Sequence, residues 1–125
     1  MKKDILKEVD KQGHEIGNHF YHHEKLDELS KEEIKETIIK TNELIYSVIK
    51  KTPKLLRPPY GIVNDTLKEV CGELNMTIIL WTADKDSKDW ALTKDSEIIN
   101  NLTKKVSNGD IFLFHDGNKK FTNTL

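Results

Sequence analysis

Residues 76–81 read MTIILW, a continuous apolar run closed by an aromatic ring. Its length and composition suit a strand covered on both faces, as in a parallel sheet flanked by helices. Upstream, Asn64 stands where a helix cap belongs, and Leu67, Val70, Cys71 and Leu74 follow it at helical spacing. Before that helix lies LLRPPYG, residues 55–61, a short strand opening into a loop whose prolines fix its path. SKEE at 30–33 is a capping box, in which Ser30 can accept from the Glu33 amide while the Glu33 side chain reaches back. Ile34, Ile38, Ile45 and Val48 then predict the longest helix, Ser30 to Lys50. Thr52-Pro53 should end it, because the residue before a proline is pushed out of the α region. The chain opens with a helix over Lys2 to Lys11, with Ile5, Leu6 and Val9 on one face and Gly13 as its stop. A short extended segment around Glu15-Ile16 follows.

Downstream of MTIILW, the polar loop TADKDSKDWALT precedes a helix carrying Ile98, Ile99, Leu102 and Val106, closed by Asn108-Gly109. DIFLFHD, 110–116, reads as a second buried strand. Strands and helices alternate throughout, which predicts an α/β chain of parallel strands with helical crossovers. NHFYHH, RPPYG, DSKDW and HDG each fall just after a strand. In parallel α/β proteins those carboxyl-terminal strand ends gather at one rim, where sites form.

The 125 residues suit one domain, and 33% charged against 36% hydrophobic is a globular composition. A net charge of −1 without a basic stripe argues against a nucleic-acid partner. Cys71, the single cysteine, excludes an internal disulfide, and its apolar setting reads as buried filler rather than a nucleophile. No apolar run approaches the ~20 residues that span a bilayer. Asp4, Lys7, Glu8 and Asp10 break any hydrophobic stretch after Met1, so the expectation is a chain without a signal peptide and without a route of export.

GHEIGNHFYHHEKL, residues 13–26, holds four of the five histidines. His19 and His23, four apart, lie on one side of a helical turn, where two imidazoles can reach a divalent ion. Taken alone, such a pair is more often a surface or capping feature. Gly17-Asn18 favours a bend that would direct His19 into a cleft, whereas His14 and His22 read as solvent-facing or as supports behind the ligands. Arg57 sits where a strand enters the rigid Pro58-Pro59 turn, and its planar fork suits a carboxylate partner. Tyr60-Gly61 brings a backbone amide to the same rim, suited to a developing oxyanion. Trp81 and Trp90 sit in apolar settings where core is the commoner role than substrate platform. His115 ends the run IFLF. It suits acid–base duty if a carboxylate orients it, with Asp89 in DSKDW the first choice.

Taken in order, GHEIGNHFYHHEKL, NELIYSVIKKTPKLLRPPYG, LWTADKDSKDW and GDIFLFHDG resemble the polysaccharide deacetylase family, the carbohydrate esterases that include chitin, chito-oligosaccharide and peptidoglycan N-acetylglucosamine deacetylases. The resemblance spans nearly all of the chain, making residues 1–125 one partial domain of that kind. It implies a distorted (β/α) barrel, here truncated, usually extracellular or in the cell envelope. The implied activity is hydrolysis of N-acetyl groups from an acetylated amino-sugar polymer or oligomer with zinc or another divalent metal. His19 and His23 resemble the metal-binding histidines, and Arg57 the arginine that pairs with the catalytic base. The Tyr60 amide resembles the oxyanion donor, with Pro59 and Trp81 beside substrate and Leu113 in the wall next to the acetyl methyl. Asp89 resembles the aspartate that orients the acid, with Asp84 and Asp86 as rivals, and His115 resembles the general acid. Water activated by the metal would attack the acetamide carbonyl while His115 protonates the departing amine.

Three departures accompany the resemblance. The paired-aspartate strand that supplies the family's base and third, carboxylate ligand has no counterpart in this sequence, and the chain stops shortly after His115. Phe20 stands where a small hydroxyl residue commonly follows the first histidine. These departures imply impaired chemistry, and they keep open a second expectation: an inactive remnant that forms a homo-oligomer through an open sheet edge. A third is a split enzyme completed by a separate fragment.

Overall fold

The computed structural model describes residues 2–83, 85–88, 95–103 and 105–115. The chain forms two compact units, Met1–Ile79 and Leu80–Leu125.

In the first unit, helix α1 (Lys3–Lys11) is followed by the histidine loop, helix α2 (Lys31–Ile49), strand β1 (Leu55–Leu56), helix α3 (Asp65–Glu73) and strand β2 (Thr77–Ile78). Gly13 adopts φ 88° just past α1 with nothing near an added Cβ, so backbone freedom alone makes it the stop expected there. Ile5 departs from the expected apolar face and is exposed, while Leu6 and Val9 are half-buried. The Ser30 capping box forms as read from SKEE, with both reciprocal bonds present. α2 ends at Lys50, as expected, but not by the expected device. Lys50, not Thr52-Pro53, closes it, taking φ 58° and donating its amide to the Tyr46 carbonyl. A left-handed cap satisfies the last turn before the proline can act.

β1 and β2 pair in parallel, Leu55 with Thr77 and Leu56 with Ile78, and α3 makes the crossover. On the other side of β1, Asn18 forms a parallel bridge with Leu56, so α2 makes a second crossover. The extended contact thus falls at Asn18 rather than at Glu15-Ile16. The strands are far shorter than the apolar runs predict. Thr77 is exposed and Ile78 only half-buried, so MTIILW is not a strand covered on both faces. The reason lies in β1: after Arg57 the chain presents Pro58 and Pro59, which have no amide to continue a ladder. The core of this unit gathers Phe20 and Leu26 from the loop, Ile34 and Ile38 from α2, Leu56, then Leu67, Val70, Cys71 and Met76.

In the second unit, α4 (Asp95–Thr103) buries Ile98 and Leu102, four apart, while Ile99 is exposed and Val106 lies exposed beyond the helix. DIFLFHD is not a buried strand either. Ile111 and Phe112 are exposed, and a single parallel bridge joins Leu113 to Asp86. That bridge is held by Leu113 N–H to the Lys85 carbonyl at 2.8 Å and Ser87 N–H to the Leu113 carbonyl at 2.9 Å. No helix among the described residues is long and apolar enough to cross a membrane.

Candidate active site

Asn18 is almost wholly buried and is the rivet of the histidine loop. Its amide donates to the Leu55 carbonyl at 2.8 Å and its carbonyl accepts from Arg57 N–H at 2.9 Å. Its side-chain Nδ2 donates to the Ile38 carbonyl (2.9 Å) and to Asn42 Oδ1 (2.8 Å), while Oδ1 accepts from the Phe20 amide at 2.9 Å. One side chain therefore ties the loop to α2 while its backbone ties the same point to β1. Gly17 makes this approach feasible, since a Cβ there would stand 3.2 Å from the Leu55 carbonyl oxygen.

Immediately after Asn18, His19 Nδ1 lies 2.6 Å from the Arg57 carbonyl oxygen. A carbonyl only accepts, so Nδ1 is the donor in this bond, which leaves Nε2 as the nitrogen a metal would meet in the neutral form. This is the arrangement by which metal-binding histidines are oriented. The His23 ring sits 4.8 Å from His19 centroid to centroid, edge-on at 66°, and also 4.8 Å from Tyr60. Two imidazoles so placed suit a divalent ion as two of its ligands. Among the described residues no group of three His, Cys, Asp or Glu gathers to complete such a site.

Phe20, His23 and Tyr60 take positive φ of 63°, 54° and 61°, a conformation side chains with a Cβ rarely hold without support. In the Pro59–Gly61 turn, Gly61 donates to the Pro58 carbonyl and Ile62 to that of Pro59, so the turn itself does not use the Tyr60 amide. Pro59 is buried and the Tyr60 ring exposed. Arg57 is half-buried, and desolvation lowers its guanidinium pKa from the usual value. Glu24, beside His23, is pushed up by burial. Hydrogen bonds from Thr37 and from its own and the His22 amide, with the His22 charge, outweigh this and hold its carboxyl below the ordinary range.

The structure thus brings together His19, His23, Arg57, Pro59 and Tyr60 in the first unit. Trp81, Leu113 and His115 belong to the second; Trp81 is half-buried, Leu113 buried and His115 exposed. Asp89 and Asp84 lie outside the described residues, as does Trp90. Asp86 is half-buried, is bridged to Leu113, and accepts from the Lys88 amide at 2.9 Å. His14 and His22 are exposed, as expected. Cys71 is buried and burial pushes its thiol up, in keeping with filler. The roles of Asn18, Thr37 and Glu24 were not read from the sequence. The available signal was Thr37 and Thr41, two hydroxyls on the otherwise apolar face of α2.

Parallel strands, helical crossovers and polar groups at the strands' carboxyl ends define an α/β domain of the rim-site kind. A family model described as polysaccharide deacetylase matches residues 1–79. A peptidoglycan-N-acetylglucosamine deacetylase of Bacillus cereus is 34% identical over 121 residues, covering 97% of this chain and 56% of that protein. Among solved structures, a family 4 carbohydrate esterase from Streptomyces lividans, in complex with acetate, matches with a TM-score of 0.88 and 29% identity, covering 98% of this chain and 62% of the other. A CE4 family pseudoenzyme from Bacillus anthracis matches with a TM-score of 0.86 and 25% identity, over 98% of this chain and 42% of the other. The chain belongs to the polysaccharide deacetylase family. It spans 34% to 56% of the length of the first curated relatives it matches.

Proposed function

We propose that this chain carries the rim of a metal-dependent deacetylase that removes N-acetyl groups from peptidoglycan or chito-oligosaccharide, on part of a distorted (β/α) barrel. The observation that carries this reading is the His19 Nδ1 bond to the Arg57 carbonyl, which sets the tautomer a ligand histidine needs. His19 and His23 would hold the ion, zinc or another divalent metal. When bound, such an ion supplies Lewis-acid polarisation of the acetyl carbonyl and activation of water. The Tyr60 amide donates to the oxyanion as it develops, and the Arg57 fork orients a carboxylate partner. His115 protonates the departing amine, Asp89 orients that ring, and Leu113 meets the acetyl methyl. Pro59 and Trp81 line the sugar.

Acetate release from acetylated chito-oligosaccharide and from peptidoglycan, with added zinc, tests the reading. His19→Ala and His115→Ala should each lower the rate by roughly 10² to 10⁴. Wild-type release no faster than that of either variant refutes catalysis by this chain.

A second reading, a fold retained without catalysis, is favoured by the similarity to a pseudoenzyme and by the lack of a three-ligand group among the described residues. In this reading the chain would pair with a second copy through an open sheet edge. Light scattering that finds only monomer, together with acetate release, would discard it.

A further inference from the structure

The five residues from His19 to His23 include two in the left-handed region, Phe20 and His23, and neither is glycine. Such positions persist only where their surroundings over-determine them. Three consecutive amides inside this stretch are each held by a side chain: Phe20 by Asn18 Oδ1 at 2.9 Å, Tyr21 by Thr37 Oγ1 at 2.9 Å, and His22 by Glu24 Oε1 at 2.6 Å. Thr37 comes from the buried face of α2, sixteen residues away along the chain. Burial raises the Glu24 carboxyl pKa, and the Thr37 hydroxyl lowers it, as a hydrogen-bond donor does. A hydroxyl has one proton and two lone pairs, so it can accept from Tyr21 while donating to Glu24 without conflict. The ring of Phe20 is buried in the core.

We propose that Thr37 and Glu24 are positioning residues, a two-sided clamp that holds the loop in the shape bringing the His19 and His23 rings together. Phe20 contributes apolar anchoring to that loop and no polar brace. The brace reaches it from α2 through Thr37 and closes on its far side through Glu24. The clamp itself is a statement about backbone amides, and only its effect on metal rests on the deacetylase reading.

The test uses Thr37→Val, Thr37→Ser and Glu24→Ala in the whole chain, with far-UV circular dichroism as the check on folding. Amide hydrogen exchange, read by NMR without metal, should quicken about tenfold at Tyr21 in Thr37→Val and at His22 in Glu24→Ala, and stay near wild type in Thr37→Ser. Zinc titration by calorimetry should show affinity falling roughly 10- to 100-fold in Thr37→Val and Glu24→Ala and restored in Thr37→Ser. Unchanged exchange at both amides overturns the clamp, and so does a Thr37→Ser variant as impaired as Thr37→Val. Lost protection with undiminished zinc affinity overturns its positioning role. A wild type that binds no zinc refutes the deacetylase reading, while exchange still decides the clamp. If Thr37→Val does not fold, Glu24→Ala reads the same clamp from its exposed side.

Discussion

At the scale of single residues, Asn18 does more than any titratable group. Buried amides are tolerated when every donor and acceptor is used, and its side chain satisfies a helix carbonyl, a neighbouring amide and a loop N–H at once. Truncation leaves the buried Phe20 amide and the half-buried Asn42 without those partners. Asn18→Ala should therefore lower stability by about 2–3 kcal/mol, read as a shift in the urea midpoint at unchanged slope. Gly17 belongs to the same device, because the Leu55 carbonyl approaches where a side chain would stand. The histidines were conspicuous in the sequence because their type and spacing carry chemistry directly. Asn18 was legible only as part of a bend, since what it bonds lies 20 and 24 residues away.

At the scale of elements, α2 is the scaffold. It offers Ile34 and Ile38 to the core, Thr37 to the loop, and Lys31 and Lys35 to α3. Lys31 Nζ lies 2.8 Å from Glu69 and 3.2 Å from Glu73, and Lys35 Nζ is 3.4 Å from Glu73. Glu69, then Glu73, raise the Lys31 pKa, while Lys31, then Lys35, lower that of Glu73. The depressed carboxylate contributes stability that is present above its unfolded pKa and lost as pH falls through its folded one. The raised amine contributes stability present below its unfolded pKa and lost as pH rises through its folded one. The tie between α2 and α3 thus acts between the ordinary carboxylate and lysine ranges. Because these groups are exposed, Glu73→Gln should change the melting temperature only slightly at neutral pH. That difference should vanish in 1 M salt and below the carboxylate range, as measured by thermal melts. Helix starts were legible because Ser30 and Asn64 cap through their immediate neighbours. The position where α2 ends was legible as well, but not its device, since Lys50 gives no compositional sign of adopting a left-handed cap.

At the scale of the whole molecule, Leu56 is the point where the histidine loop, β1 and β2 meet, bridging Asn18 on one side and Ile78 on the other. It is completely buried among residues from both crossover helices. Leu56→Ala should cost roughly 2–5 kcal/mol, the range for core truncations that leave a cavity, and appear as an earlier loss of helical signal on denaturation. Cutting at this point loosens the loop and the sheet together, because no other described strand residue pairs on both sides.

The amino-acid sequence determined the alternation of helices with parallel strands, the N-caps at Ser30 and Asn64, the burial of Cys71, and the family, because each depends on periodicity, near neighbours or the order of motifs. Tertiary structure alone decided how little of the run at 76–81 becomes strand, since its ladder ends where its partner turns to proline at Pro58. It alone decided the tautomer of His19 as well. That proton follows the carbonyl of Arg57, 38 residues away along the chain, and only folding brings an acceptor so distant within hydrogen-bond reach.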